Sequence, residues 1–220
     1  MTHNEIRAEY VGLMGQDLGQ LFHELEDQVS WLHYKWNELK ELFGQGQDRI
    51  DLLNHVASNF FFFVQQTMFE NVLLHLCRLT DPPKTFGKKP NLSLLSLAES
   101  ISDASLRRDV TTATQILLKN SEFARDWRNR RLAHTDLTTF RNQHSTPLPP
   151  VDAKSVEDAL RSFGDLFDLI WRHYGHSPTL FTFHTEPWGA KTLVHYLEEA
   201  VRVEKEENAR WRKLVETEPG

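Results

Sequence analysis

The sequence predicts a nearly all-α protein, an up-and-down bundle of about five to six helices with an extended C-terminal helix. Three observations carry that prediction. Apolar residues recur at spacings of three and four over long stretches. Helix breakers, Gly44, Gly46 and Asp81-Pro82-Pro83, fall between those stretches. Hydrophobic residues make up 40% of the 220, enough for a packed core, and only Leu180-Phe181-Thr182-Phe183 reads as a candidate strand or extended cover.

The first long seam is Leu18, Phe22, Leu25, Val29, Leu32, Trp36, Leu39 and Phe43, one helix face that ends at Gly44 and Gly46. A second helix starts near Asp48 with the stripe Leu52, Val56, Phe60, Phe63, Thr67, Leu74, Cys77 and Leu79. Phe61, Phe62 and Phe69 add apolar bulk on its other faces, so it is expected to be central and surrounded. A short glycine turn between these two helices predicts antiparallel packing. After Asp81-Pro82-Pro83, Asn91 is placed as the N-cap of a short helix through Ile101. The next helix begins near Asp103 and carries Leu106, Val110, Ala113 and Leu117, with a break at Asn120-Ser121 before a segment from Glu122 to Leu137. Residues 144–150 are polar and proline-rich, a loop. Asp152 caps a helix that turns Val156, Leu160, Phe163, Phe167 and Ile170 inward. A last helix starts near Lys191. Its distal part, Glu204–Lys213, is mostly charged and is expected to project or to pack on a partner. The domain reading is a bundle over 1–176, then an irregular segment and an amphipathic helix over 177–220.

Net charge is −6, which argues against a protein that lives on non-specific duplex binding. The average hides a gradient. Residues 1–51 hold four cations and ten carboxylates, whereas residues 78–141 hold twelve cations and seven carboxylates. An anionic ligand is therefore allowed in the middle of an acidic chain. The only cysteine, Cys77, permits neither an internal disulfide nor a cysteine-based zinc site. The chain shows no basic-then-apolar leader, and its longest apolar run, Phe60–Val64, is too short to span a bilayer. A reducing, cytoplasmic setting is expected, with no membrane partner.

The segment with chemical content is Arg125-Asp126-Trp127-Arg128-Asn129-Arg130-Arg131-Leu132-Ala133-His134-Thr135-Asp136. Clustered guanidinium groups repel one another and call for carboxylate, solvent or phosphate. Histidine exchanges protons near neutrality. On one ideal α-helix, however, Arg128 and His134 are separated by about 9 Å along the axis and roughly 120° around it. Only a kink, or a second copy related by a two-fold axis, brings such a pair to one phosphate. Absent any ligand, the same cluster reads as a solvated face salted by Glu122, Asp126 and Asp136.

The run Arg128-Asn129-(four residues)-His134 resembles the Arg-[Asn/Asp]-(x)-His signature of HEPN-domain ribonucleases, which allows four to six residues between Arg and His. It is closest to the abortive-infection HEPN-like family of bacterial defence proteins. That family pairs an Arg-Leu-x-Asp stretch at the end of an early helix with a later Arg-[Asp/Asn]-x-x-x-Ala-His-x-Asp stretch. Here these are Arg78-Leu79-Thr80-Asp81 and Arg128–Asp136. The resemblance covers roughly Leu18 to Ile170. It implies a homodimeric helical bundle, joined through the motif-bearing helix, that cuts RNA without a metal or other cofactor. Its role would be that of a toxin or phage-defence effector. Catalysis would rest on Arg128, Asn129 and His134. Arg125, Arg130, Arg131 and Arg78 would bind flanking RNA phosphates. The family also implies an antitoxin or nucleotidyltransferase partner. The alternative is a catalytically inactive HEPN-like dimerisation or partner-binding module.

Other residues carry plainer expectations. Arg78 and Asp81 are expected to pair and close a helix end. Trp127 and Phe60–Phe63 are expected in core or interface. Cys77 is expected to be an inert thiol. His173, His176, His184 and His195 lack the carboxylates that would suggest a metal site, and none is expected.

Overall fold

The computed structural model describes residues 2–84, 89–132, 151–175, 181 and 188–217. Among the described residues eight α-helices run in the order α1 (His3–Met14), α2 (Gln16–Phe43), α3 (Gln47–Thr80), α4 (Leu97–Ser100), α5 (Ala104–Asn120), α6 (Glu122–Trp127), α7 (Ala153–His173) and α8 (Ala190–Thr217). A 3-10 turn, Leu94–Ser96, leads into α4, and a π-helical turn, Arg128–Leu132, continues α6. No strand forms among the described residues. The fold is all-α, as the periodicity predicts, and among the described residues six of the helices exceed two turns, one of them (α1) not anticipated.

The chain divides into two compact units. Unit 1 holds residues 1–33 and 70–183, and unit 2 holds 34–69 and 184–220, so α2 and α3 contribute to both. The core of unit 1 gathers Phe22, Leu25, Val29 and Leu32 of α2, Val72, Leu73 and Leu76 of α3, Val110 and Leu117 of α5, and Phe163, Phe167 and Ile170 of α7. Phe22 is wholly buried, with its ring 4.8 Å from that of Phe167 and 5.1 Å from that of Trp171. Helices α5 and α7 lie against each other, and Asn120 Nδ2 donates to Ser162 Oγ at 2.6 Å across the pair. Phe181 is buried between Phe167 and His33, so this residue of the irregular segment serves as a cover.

Helix α1 has no counterpart in the sequence reading. Its signal was present in Thr2-His3-Asn4-Glu5: the Thr2 hydroxyl accepts from Glu5 N–H, and the Glu5 carboxylate accepts from Thr2 N–H. Tyr10 anchors this helix by donating its hydroxyl to Glu26 at 2.5 Å, and Trp171 Nε1 reaches the same carboxylate at 3.2 Å. Burial and the Glu26 carboxylate both push the Tyr10 phenol well above its usual range.

In unit 2, Leu42, Ala190 and Val194 form a small core, with Phe43, Leu52, Val64 and Met68 packed on it. The turn between α2 and α3 uses Gly46 at φ +95°, a conformation that glycine adopts without steric cost. The Glu38 carboxylate accepts from Ala190 N–H at 2.6 Å and so caps the start of α8 from another helix.

Two local expectations are corrected. Ser93, not Asn91, caps the short helical segment. Its Oγ accepts from Leu95 N–H at 3.2 Å and donates to the Asp81 carbonyl at 2.5 Å. Asn91 instead closes the preceding loop, donating Nδ2 to the Pro82 carbonyl at 2.7 Å and its N–H to the Pro83 carbonyl at 2.8 Å. The apolar stripe assigned to α3 fails in its first half. Leu53 and Phe61 are buried, whereas Val56, Phe60, Phe62 and Phe63 are exposed. Ala57 (φ −162°, ψ 71°) breaks the helix after Val56, and beyond it the covered face is Phe61, Val64 and Met68, of which the last two pack on the small core of unit 2. The Asp103 and Asp152 caps form as read, each carboxylate accepting a backbone N–H at 2.7 Å, from Leu106 and Ser155. Both carboxyls are held below their usual range, chiefly by the Leu106 N–H for Asp103 and by the Ser155 hydroxyl and N–H for Asp152.

Candidate functional site

The C-terminal end of α3 and the segment from α6 into the π-helical turn build the site within unit 1. A helix end leaves backbone carbonyls without intrahelical donors, and a cation is favoured there. Thr80, wholly buried, turns its hydroxyl back to the carbonyls of Leu76 at 2.9 Å and Cys77 at 3.2 Å. Its own carbonyl and Oγ1 then accept from Arg125 Nη2 at 2.8 and 3.1 Å. One residue further, Asp81 Oδ1 accepts from Arg128 Nη1 at 2.5 Å, with both side chains about one quarter exposed. The end of α3 thus holds two arginines one helical turn apart. The Ser93 hydroxyl on the Asp81 carbonyl fixes the backbone that carries this carboxylate.

Asp81 therefore pairs with Arg128, which corrects the expected pairing of Asp81 with Arg78. Arg78 is exposed and makes no ion pair among the described residues. The geometry of the helix end decides this: Asp81 lies beyond the last turn of α3, where the incoming α6 segment reaches it and a side chain of α3 itself does not.

Arg128 opens the π-helical turn Arg128–Leu132. Such turns bond i to i+5 and are short, rare and frequent at functional sites. A uniform α-helical offset consequently does not apply over Arg128–Leu132. Arg128 Nε donates to the exposed Asn129 Oδ1 at 3.2 Å. With Nη1 and Nε engaged, Nη2 remains for a ligand oxygen among the described residues. Arg125, Trp127 and Arg130 are half-buried. His134 and the Arg131 side chain lie outside the described residues, so the meeting of Arg128 with His134 belongs to the proposal below.

The field of this arginine pair reaches Cys77. Burial pushes its thiol up to about 11, Arg128 and Arg125 draw it down, and Asp81 pushes it up. Burial dominates, so the thiol stays protonated at neutral pH. We expect iodoacetamide to label Cys77 in the folded chain very slowly at pH 8, with the rate climbing as pH approaches 11. Because the folded value lies above that of an exposed thiol, near 8.5, its contribution to stability is complete below that pH and is lost as pH rises through about 11. Rapid labelling at pH 8 would show the reverse balance, with the arginines outweighing burial.

Among the described residues no group of three or more His, Cys, Asp or Glu side chains is arranged to hold a metal ion. No described helix is long and apolar enough to cross a membrane. His55, on the early part of α3, pairs its Nε2 with Glu204 at 3.2 Å, and His23 bonds to His3 at 3.0 Å.

A family model for AbiU2, a HEPN-type family, matches residues 15–201. No curated protein and no solved structure is matched by the chain.

Proposed function

The chain belongs to the AbiU2 family of HEPN-like abortive-infection proteins, and from that membership we propose that it is a metal-independent endoribonuclease acting as a toxin or phage-defence effector. The observation that supports this reading most is the clamp on Arg128. A guanidinium on a merely solvated face would need no buried partner. This one is three-quarters buried, locked to Asp81, and set at the first residue of a π-helical turn within the Arg128-Asn129-(four residues)-His134 run.

In the proposed reaction the ribose 2′-oxygen attacks the adjacent phosphorus. A bond from that oxygen to phosphorus forms as the bond to the 5′-oxygen breaks. One base takes the 2′-hydroxyl proton and one acid protonates the leaving 5′-oxygen, with His134 in one of these two roles. Arg128 stabilises charge on the non-bridging oxygens. Asn129, through its contact with Arg128 Nε, orients that fork. The products are a 2′,3′-cyclic phosphate and a 5′-hydroxyl, and the need for a 2′-hydroxyl restricts the substrate to RNA. Arg125, Arg130, Arg131 and Arg78 bind flanking phosphates in this reading. A homodimer through the motif-bearing helix would double the positive charge at the site, and an antitoxin or nucleotidyltransferase partner would restrain it.

The test is incubation of the purified chain with total RNA in EDTA, followed by end analysis. We expect 5′-hydroxyl and cyclic phosphate ends, lost in His134→Ala with an unchanged circular dichroism spectrum. Cleavage that survives His134→Ala, or that requires an added divalent metal, overturns the mechanism. A stable chain that cleaves no RNA leaves the binding-module reading.

A further inference from the structure

Unit 2 carries an unfinished surface. Within α8 the inward face is Ala190 and Val194, and both are buried. A second apolar stripe lies beside it at coiled-coil spacing: Leu193, Tyr196, Ala200 and Val203, then Leu214 after two charged positions. Every residue of this stripe is exposed, Tyr196 at 64% and Leu214 at 59%. All residues from 202 to 215 are exposed as well. A helical segment of that length with no packed face is marginal in water, so α8 calls for a covering surface.

The stripe itself says what fits. The charged positions that interrupt it are Glu207 and Arg210, and the sequence of seam positions is Val203, Glu207, Arg210, Leu214. Its spacings of four, three and four read the same in both directions. Laid antiparallel on a second copy, with the two-fold axis between Asn208 and Ala209, Val203 meets Leu214 and Glu207 meets Arg210, each pair twice. An isologous contact requires such reciprocity, and antiparallel coiled coils oppose these two kinds of seam position. Neither Glu207 nor Arg210 makes an ion pair among the described residues, whereas Arg202, beside the seam, already binds Glu199 at 2.8 Å and Glu206 at 2.6 Å. Both seam charges are exposed and are therefore available to a facing copy.

We infer that the distal part of the exposed stripe of α8 is a self-association surface, on which two copies of this chain pair antiparallel through Val203, Glu207, Arg210 and Leu214. The interface is separate from any contact through the motif-bearing segment, which lies in unit 1. Twelve residues of overlap, less than two heptads, correspond to weak association rather than to an obligate dimer.

Charge reversal tests this directly by sedimentation of the full chain over a concentration series. We expect reversible self-association of the wild type. Glu207→Arg alone and Arg210→Glu alone should each weaken it at least about tenfold, because like charges then face each other at both ends. An equimolar mixture of the two variants should associate again, since each reversed charge meets its complement in the other chain. The doubly reversed chain should also recover. Both positions are exposed, so the variants keep the wild-type helical spectrum. A chain that remains monomeric to about 100 μM overturns the proposal. So does self-association that is indifferent to both reversals, as an interface on another surface would give.

Discussion

Arg128→Ala is expected to lower RNA cleavage by about a hundred- to a thousandfold, the usual consequence of deleting one preorganised donor to a developing anion. The loss should fall mainly on kcat, because the phosphoryl oxygens gain charge in the transition state and flanking phosphate contacts hold the substrate beforehand. Arg128→Lys should restore little. An ammonium is a point charge and cannot bond Asp81 and Asn129 while presenting a further N–H edge to a phosphate. The fold should survive. The Arg128–Asp81 pair is one quarter exposed, so its removal costs about 1–2 kcal/mol, part of it from leaving Asp81 without its partner. Measurement of kcat, KM and melting temperature on the same preparations separates the two effects. A variant that melts normally and cleaves RNA at the wild-type rate would remove Arg128 from the chemistry.

The second large effect is structural. Gly19→Ala should release α1 from α2 and cost roughly 3 kcal/mol or more. An added Cβ would stand 2.4 Å from the Tyr10 carbonyl oxygen and 2.7 Å from the Val11 Cα. Those are backbone atoms, so no side-chain rotation relieves the overlap, and α1 has to move as a body. With it goes the Tyr10 hydroxyl bond to Glu26, which leaves that carboxylate with one donor fewer in a half-buried site. Native-state hydrogen exchange should show α1 amides losing protection first, with α5 and α7 protected longer. Gly12→Ala is the control, because its Cβ meets nothing within 4 Å. Equal stability of the two variants would show that α1 does not pack as described.

How much of this was legible beforehand follows from the range of each signal. The seam from Leu18 to Leu39 and the inward face of α7 are buried as read, because a period near 3.6 is written in contiguous residues and each of those faces meets the core along its length. The Asp103 and Asp152 caps were legible for the same reason: cap and recipient lie three residues apart. The family, too, was legible, since its motif is a short linear pattern, and the match over residues 15–201 agrees with it.

Other features depended on what meets what. Four consecutive phenylalanines look equivalent in sequence, yet only Phe61 is buried, because it shares a helix face with Val64 and Met68, which pack on the small core of unit 2. Asp81 had two candidate partners, Arg78 three residues away and Arg128 forty-seven away, and the distant one holds it. So the sequence by itself determined the long helices from α2 onward, the Asp103 and Asp152 caps, the motif and the family, all of which are set within a few turns of chain. Only the tertiary structure decided that the end of α3 clamps Arg125 and Arg128. Contacts closed over long loops depend on the packing of whole helices, and no local pattern encodes which helix end will arrive beside which side chain.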